Sequence, residues 1–324
     1  MKVLVTGASG FIGKRLVEEL LRRDINVVAM QRNHDSGLAP EVRQIYGDIT
    51  DPGSLGDAGL GCDRLYHLAA MVTFDHGKKD DLLSVNGQGT RNVLAAARRW
   101  GVERTVVVSS ACTLGLSNSR TRLLSEADCP EQDIVMANPY LQSKLETESA
   151  ALAASEKAHT VIVNPTTVYG PGDRSLNSGT LVLKVASSSV LPVPPGGSNV
   201  IDVDDVVTGI IAAGENGMSG YRYILGGENL SFTNIFDEIA SIVNNRPLFA
   251  TVPSWMRNPM ALVAWIIGRW GANRFMTPQI VSDLFAFKFY DSSRARHELS
   301  WAPKYTFRKS IERAWDYYER EGLA

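Results

Sequence analysis

Residues 6–13 read TGASGFIG, and the position of this stretch decides the fold that we expect. It follows a short apolar run at residues 2–6, typical of a buried strand. It leads into a segment with apolar residues at positions 12, 16, 17, 20 and 21, which is helical spacing. A glycine-rich turn there lets a phosphate reach free backbone N–H groups at the helix N-terminus. Gly7 provides the sharp turn, Gly10 the room for a pyrophosphate and Gly13 a close helix–sheet contact. A turn that merely tolerates glycine is the alternative, but the setting favours dinucleotide binding.

The first half of the chain continues to alternate short apolar strands with helices. The pattern predicts further strands at residues 26–30, 43–46, 64–68, 105–108 and 159–163, and helices at 82–100 and 139–156. Such alternation is typical of a parallel sheet with helices on both faces. We therefore expect an α/β fold with a Rossmann-type, doubly wound parallel sheet, and a dinucleotide-binding domain over residues 1–170.

After residue 170 the sequence becomes richer in serine, proline and glycine. We expect a smaller, mostly helical substrate lobe at residues 171–324, with the chain crossing back to the first domain around 200–225. The predicted elements of this half are a strand at 221–225 and helices at 204–215, 232–244, 258–271, 277–285 and 307–321.

Composition narrows the class of protein. The 324 residues carry a net charge of −2 and are 44% hydrophobic, which is ordinary for a soluble enzyme and gives no reason to expect nucleic acid as a partner. Three cysteines, at 62, 112 and 129, favour a reducing compartment. No metal-binding motif, signal peptide or membrane-length apolar run is evident. We expect a cytoplasmic protein that acts on a small molecule and holds no metal.

The end of the second strand bears on the choice of cofactor. It reads AMQRN at residues 29–33, without the carboxylate that usually binds the ribose 2′-hydroxyl of NAD. Arg32 offers a permanently charged, planar group that suits a 2′-phosphate. An ordinary surface arginine is the alternative. The sequence favours NADP and leaves NAD open.

Two further segments carry reactive groups. Tyr140 and Lys144, in YLQSK, lie four residues apart and share one helix face. A nearby ammonium favours the phenolate and lowers the pKa of a phenol, so that Tyr140 can exchange a proton with a carbonyl oxygen. Ser109 and Ser110 directly follow a strand, where a hydroxyl can hold the substrate oxygen. Each segment alone is also compatible with ordinary surface or strand-end packing.

Together these segments resemble the extended short-chain dehydrogenase/reductase family. The motifs TGASGFIG, GDI (47–49), HLAA (67–70), VNGQGTRN (85–92), VSS (108–110), YLQSK (140–144) and NPTTVYGPGD (164–173) occur in the order of that family, and the likeness extends to residues 291–303. It implies that Ser110, Tyr140 and Lys144 are catalytic, and that Asn86 supports a proton-relay water.

The resemblance and the residues together give a predicted site. The predicted cofactor contacts are Gly7, Ser9, Gly10, Phe11, Ile12, Gly13, Arg32, Asp48, Ile49, Leu68, Ala69, Ala70, Ser109, Tyr140, Lys144, Pro165, Thr167 and Val168. The predicted substrate contacts are Thr73, Phe74, Thr113, Asn164 and Tyr169.

Departures from the family pattern point to one branch. The arginines that bind diphosphate in nucleotide-sugar epimerases are missing from GGSNVID (196–202) and FAFKFYD (285–291), where Lys288 is the one cation. Ala111 and Cys112 stand where the 4,6-dehydratases place an acidic pair.

The chain is more similar to dihydroflavonol 4-reductase-like members, including those called hopanoid-associated sugar epimerases. This implies an NADP-dependent oxidoreductase that interconverts a ketone or aldehyde and an alcohol on an apolar molecule. A nucleotide-sugar epimerase with retained NAD and a non-catalytic NADP-sensing protein are the alternatives.

Two questions of packing remain open. The apolar segment at residues 254–275 is compatible with a buried helix, a lid over the substrate or a membrane-surface contact. Family members commonly form homodimers through the helices that match residues 82–100 and 139–156. The alanines of both helices allow close approach, so we expect a homodimer, although alanine is also simply a good helix former.

Overall fold

The structure is a computed structural model that describes residues 1–32, 37–269 and 278–324 of the chain. Its strands are β1 (Lys2–Thr6), β2 (Asn26–Gln31), β3 (Arg43–Tyr46), β4 (Arg64–His67), β5 (Arg104–Val108), β6 (His159–Pro165), β7 (Thr167–Tyr169), β8 (Val190–Val193), β9 (Gly197–Asp202), β10 (Arg222–Leu225), β11 (Glu228–Ser231), β12 (Leu248–Thr251) and β13 (Phe287–Lys288). Its helices are α1 (Phe11–Arg22), α2 (Lys79–Leu82), α3 (Gly89–Trp100), α4 (Gln132–Ala137), α5 (Pro139–Ser155), α6 (Gly179–Ser187), α7 (Val203–Asn216), α8 (Phe232–Ile242), α9 (Arg257–Arg269), α10 (Pro278–Phe285), α11 (Ser293–Glu298) and α12 (Phe307–Arg320).

A seven-stranded parallel sheet forms the centre, in the order β10-β6-β5-β4-β1-β2-β3. Its inner strands are almost wholly buried, because their short apolar runs lie under helices on both faces. Leu16, Val17 and Leu20 of α1 pack with α7 against one face. α3 and α5 cover the other face. The predicted doubly wound α/β sheet is confirmed.

The chain returns to this sheet after residue 202. α7 packs on α1 and β5, and β10 extends the sheet beside β6. The remaining described part carries α6, α8, α9, α10 and α12 together with two small sheets, one built on β9 and one of β8 and β12. A domain boundary near residue 170 stays a proposal.

The two small sheets were not predicted from the sequence. β9 reads GSNVID and is buried along its whole length, so it shows neither the alternation nor the apolar run by which strands are recognised. Its polar groups are satisfied by neighbouring strands instead. The Asn199 amide accepts hydrogen bonds from Thr166 (2.7 Å) and Gly227 (3.0 Å) and donates one to Asn229 (2.8 Å).

The predicted helix at residues 82–100 is interrupted. α2 ends at Leu82, residues Leu83–Gln88 form a π-helical turn, and only then does α3 begin. A π turn holds one residue more than an α turn, which reorients the side chains within it and is often found at functional sites. Asn86 is thereby turned inward and is 1% exposed. The predicted helix at 258–271 corresponds to α9, and residues 270 and 271 lie outside the described ranges.

The parallel register brings the carboxyl ends of the central strands to one edge. Thr6, the last residue of β1, lies beside Met30 of β2 and His67 of β4. Val108 of β5 lies beside Val163 of β6. The segments that follow these strands therefore meet at one edge, where ligands bind in such sheets.

His67 is a buried polar residue at this edge. Its ring contacts the hydroxyls of Thr6 (Nδ1–Oγ1, 2.7 Å) and Thr90 (Nε2–Oγ1, 3.1 Å). Burial lowers the pKa of His67 from 6.5 to about 3, and the positive charge of Lys144 acts in the same direction. The folded protein therefore holds this imidazole neutral at pH values where the unfolded chain protonates it.

This difference predicts acid destabilisation. As pH falls from about 6.5 to about 3, the unfolded state binds a proton at His67 that the folded state cannot. The free energy of unfolding should then fall by about 1.4 kcal/mol per pH unit from this residue. Urea denaturation gives the free energy of unfolding at each pH, and the values for the wild type and His67→Gln should converge as pH falls. The values for the exposed His76→Gln should keep a constant difference from those of the wild type. A pH-independent gap for His67→Gln would contradict the prediction.

Candidate active site

The turn after β1 is built for close backbone approach. Gly7 has φ +70°, and a Cβ there would lie 2.6 Å from the backbone nitrogen of Ala69. A Cβ on Gly13 would lie 2.1 Å from the Gly7 carbonyl oxygen. α1 begins with Gly10 as its N-cap, with no side-chain cap and no acidic residue in its first turn. The first N–H groups of the helix are therefore available to an anion.

A cavity of about 310 Å³ extends from this turn across the ends of β2 and β4. Nine predicted cofactor residues line it: Gly7, Ser9, Gly10, Arg32, Asp48, Ile49, Leu68, Ala69 and Ala70. The sequence analysis missed six more, namely Thr6, Met30, Gln31, Gly47, Met71 and Val85. Most of these flank a predicted residue, so extending each motif by one position would have found them.

Asp48 and Arg32 lie in this cavity. The backbone N–H and hydroxyl of Thr50 donate to Asp48 Oδ1 at 2.8 and 2.7 Å. These bonds, with a smaller effect of the Arg32 charge, hold the pKa of Asp48 below its ordinary value. Asp48 is thus a fixed hydrogen-bond acceptor, and Arg32 is a cation at the position where β2 ends.

A second cavity, of about 330 Å³, lies beyond the ends of β5 and β6. Ser110, Tyr140 and Phe74 line it, as do five predicted cofactor residues: Phe11, Ile12, Pro165, Thr167 and Val168. Residues that the sequence analysis did not assign complete the wall, among them Val72, Ala111, Cys112, Asn138, Thr166, Asn177, Ser178, Ser198, Asp283, Lys288 and Tyr290.

The start of α5 positions the predicted reacting groups. Asn138 caps the helix by accepting from the Leu141 N–H at 3.0 Å, and Pro139 fixes its first turn. Tyr140 therefore lies at the cavity, and Lys144 follows one turn later. The Lys144 ammonium is 3% exposed and donates to the Val108 carbonyl at 3.3 Å. The Ser110 hydroxyl accepts from the Cys112 N–H at 3.3 Å, which leaves its own proton free to donate.

Burial dominates the titration of these groups. It raises the pKa of Tyr140 well above its ordinary value of 10, the Cys112 thiolate charge adds to that, and a hydrogen bond with Ser110 acts in the opposite direction. Burial lowers the pKa of Lys144 to about 8. In the free protein the pKa of Tyr140 is therefore raised and not lowered as expected, because burial outweighs the hydrogen bond with Ser110. Tyr140 keeps its proton at neutral pH.

A buried carboxylate lies behind the second cavity. Glu148, one helical turn after Lys144, is 3% exposed. Its Oε1 accepts from the Thr113 hydroxyl and the Asn164 amide, both at 2.6 Å. The Asn164 amide also donates to the Ser110 carbonyl oxygen at 3.0 Å, and that oxygen lies 2.8 Å from Thr113 Oγ1. Glu148 thereby holds the turn that carries Ser110, a role that no sequence motif revealed.

This network corrects several predicted substrate contacts. Thr113 and Asn164 are fully buried and bonded to Glu148, so neither side chain faces the cavity. Tyr169 packs edge-on against Phe307 in the core of the second half. Thr73 does not line either cavity. Of the five, Phe74 alone borders the second cavity, where its ring contacts Tyr140 with centroids 5.6 Å apart.

Asn86 is committed to the backbone beside the site. Its Oδ1 accepts from the Met71 N–H at 2.7 Å, and its Nδ2 donates to the Met71 carbonyl and to Ser143 Oγ. The Asn86 carbonyl accepts from Thr90 and Thr147. These bonds hold the segment after β4 to α5. Support of a relay water by Asn86 stays a prediction.

Three predicted cofactor residues do not line a cavity. Gly13 packs against Gly7, and Lys144 lies behind Tyr140. Ser109 is 6% exposed, and its hydroxyl finds no hydrogen-bond partner within the described residues. The uncapped start of α1 and the glycines at 7 and 13, where a Cβ would meet backbone, suit the phosphates of a dinucleotide.

None of the helices in the described ranges combines the length and the hydropathy needed to cross a bilayer.

Comparisons with known proteins agree with this geometry. A sequence profile of the NAD dependent epimerase/dehydratase family matches residues 3–226. The chain is 31% identical to a protein of Synechocystis sp. with the provisional name dihydroflavonol 4-reductase, over 98% of this chain and 94% of the relative. It is 32% identical to sterol demethylase protein B of Methylococcus capsulatus, over 100% of both chains. The crystal structure of gox2253 has a TM-score of 0.86 at 29% identity and covers 99% of this chain and 98% of its own.

The glycine turn, the parallel sheet and these likenesses lead to one assignment. The chain belongs to the NAD dependent epimerase/dehydratase family and is an enzyme of the extended short-chain dehydrogenase/reductase type, which uses a nicotinamide dinucleotide.

Proposed function

We propose that this enzyme reduces a ketone or aldehyde on a largely apolar small molecule, with NADPH as its cofactor. The observation that carries the proposal is the second cavity, where the Tyr140 phenol and Ser110 hydroxyl face a wall whose exposed surface is mainly apolar, although polar side chains contribute to it. A phenol that burial keeps protonated is suited to give a proton to a carbonyl oxygen. The protonated phenol is the form that the reduction step requires, and the reverse oxidation would return the proton to it.

The cofactor would occupy the first cavity. Backbone N–H groups at the start of α1 would receive its pyrophosphate, Asp48 the adenine side and Arg32 the 2′-phosphate. When bound, the nicotinamide supplies a hydride. β2 ends in Gln31 and Arg32 follows it, so the end of this strand supplies no carboxylate to bind the ribose 2′-hydroxyl.

The chain's own groups would manage the substrate oxygen and its proton. Ser110 donates a hydrogen bond to the oxygen, and Tyr140 transfers its phenolic proton to it. Lys144 stabilises the phenolate that remains, and its ammonium has N–H groups beyond the one bonded to Val108 with which to hold a ribose.

The wall of the second cavity argues for an apolar substrate. Phe11, Val72, Phe74, Ala111 and Tyr290 provide ring and aliphatic surface. Among the described lining residues Lys288 is the one cation, and Asp283 pairs with it at 3.0 Å. A nucleoside diphosphate needs cations that are not already paired, so the epimerase alternative is less well supported. The names of the two relatives, a reductase and a sterol demethylase protein, are compatible with an apolar ketone.

Glu148 would act as a positioning residue. Its negative charge raises the pKa of Lys144, against the stronger effect of burial, which lowers that pKa to about 8. Its hydrogen bonds to Thr113 and Asn164 fix the Ser110 turn. One buried carboxylate would thus support both the cation behind Tyr140 and the hydroxyl beside it.

We also propose that two copies of the chain pair through α3 and α5, which lie side by side. Their outer faces carry small and apolar side chains, such as Ala95 and Leu152, at the surface.

Arg32→Ala tests the cofactor assignment. Loss of a charge-assisted contact costs about 1.5–3 kcal/mol, so the KM for NADPH should rise about 10- to 100-fold while the KM for NADH changes little. Steady-state kinetics with both cofactors measure the two values. Arg22→Ala, which removes an exposed arginine paired with Glu19 on α1, should leave both unchanged. An equal rise for NADPH and NADH would count against a 2′-phosphate contact.

Tyr140→Phe tests the proton donor. NADPH oxidation with hydrophobic ketones should fall about 10²- to 10⁴-fold, because the general acid is gone. NADPH binding, followed by cofactor fluorescence, should stay close to the wild-type value. The exposed Tyr221→Phe should keep full activity. A wild type that binds UDP-sugars saturably and never consumes NADPH would favour the epimerase instead.

Glu148→Gln tests the positioning role through pH. Without the carboxylate charge the pKa of Lys144 falls further, so Lys144 loses its proton at a lower pH than in the wild type. The alkaline limb of kcat/KM for NADPH oxidation should therefore move to lower pH than in the wild type. Glu146→Gln, on the same helix but paired with Arg91 at the surface, should leave the limb in place. A pH-independent loss of activity would show a purely structural effect.

A further inference from the structure

One face of α9 and of the turn before it is apolar and exposed. Trp255, Leu262, Val263 and Trp265 are 73%, 58%, 53% and 51% exposed. The opposite side of the helix packs through Met260 and Ala264 onto a small cluster with Val252, Val281 and Phe285. The exposed residues Trp255, Pro259, Leu262, Val263 and Trp265 are called the α9 surface below. Exposed apolar side chains grouped in this way mark an interaction site rather than chance exposure.

The stretch of sequence that carries this surface has charges of one sign. Residues 239–282 contain no aspartate, glutamate or lysine, and they contain four arginines, at 246, 257, 269 and 274. The chain as a whole has a net charge of −2, so this positive segment stands out. Arg246 and Arg257 form no ion pair with any residue in the described ranges. Their charge is therefore available to a partner.

We propose that the α9 surface docks on the surface of an anionic lipid bilayer. Tryptophan is favoured at the level of the lipid headgroups, and Leu262 and Val263 would enter the adjoining acyl region. Each arginine near an anionic bilayer adds attraction that salt weakens. The protein would lie on the bilayer through this surface without crossing it.

Other occupants fit this surface less well. A second copy related by two-fold symmetry would bring the Arg257 side chains of the two copies toward each other, and the residues of the α9 surface supply no carboxylate to neutralise them. An acidic protein would pair with the arginines alone. An anionic bilayer would pair with the arginines and also accommodate the tryptophans at the level of its headgroups.

The α9 surface lies on the part of the chain that also walls the second cavity. α9 packs against α10, and Asp283 of α10 lines that cavity beside Lys288. A bilayer on the α9 surface would therefore place the cavity close to a reservoir of apolar molecules. The docking itself does not require the proposed reductase activity, so vesicle binding and NADPH turnover can succeed or fail separately.

Vesicle co-sedimentation of the full chain tests the proposal. The wild type should bind vesicles of phosphatidylcholine and phosphatidylglycerol, bind phosphatidylcholine vesicles less, and dissociate as salt is added. Leu262→Glu should weaken binding about tenfold or more, because a leucine loses its apolar burial. Arg257→Gln should weaken binding to the anionic vesicles about fivefold and leave binding to neutral vesicles unchanged.

Leu60→Glu is the matched control. Leu60 is also 58% exposed, but it lies in the turn before β4 rather than on α9, so this variant should bind like the wild type. Thermal unfolding shows whether the variants remain folded. Failure of the wild type to bind anionic vesicles would overturn the proposal, as would binding that Leu262→Glu leaves intact. A change in oligomeric state with Leu262→Glu, seen by light scattering without vesicle binding, would assign the surface to a second copy instead.

Discussion

The parallel pairing of the central strands is the constraint on which the site depends. Because Thr6 and His67, the last residues of β1 and β4, lie in register with Met30 near the end of β2, the three segments that follow lie within reach of one ligand. The same pairing of β5 with β6 brings the Ser110 turn beside Pro165. Neither cavity contains a complete site within one stretch of sequence, so a slip in register would separate the glycine turn from the residues that face it.

Buried polar residues carry this arrangement from the sheet to the reacting groups. His67 joins β1 to α3 through Thr6 and Thr90, Asn86 joins the segment after β4 to α5, and Glu148 joins α5 to the Ser110 turn. Buried groups of this kind are costly unless they are hydrogen-bonded, and when satisfied they specify one arrangement. The side chains that face the cavities are therefore held in place by hydrogen bonds among polar residues that are themselves buried.

The sequence predicted the central fold because its signals are local. A strand, a glycine turn and an amphipathic helix lie consecutively at residues 2–22, and the motif residues fall at the ends of strands. Glu148, by contrast, is one of two glutamates on α5, and its burial, its contacts with Thr113 and Asn164 and its ion pair with Arg222 distinguish it from the exposed Glu146. Thr113 and Asn164 were predicted as substrate contacts, and their neighbours Cys112 and Pro165 do line the cavity. Sequence adjacency cannot show which side of a turn a side chain takes. β9 was missed for a related reason, since its buried polar residues depend on strands far away in the chain.

The π-helical turn at Leu83–Gln88 has a consequence for how this region tolerates change in length. The turn contains one residue more than an α-helix would need. Deleting a single residue there would let the backbone relax into a continuous α-helix, with about 100° of rotation between everything before the deletion and everything after it. Asn86 would then leave Met71, or α3 would turn its apolar stripe away from the sheet. A substitution in this turn changes one side chain and leaves the backbone in place. A deletion changes the orientation of α2 relative to α3, so the length of the turn is constrained by the packing on both sides of it.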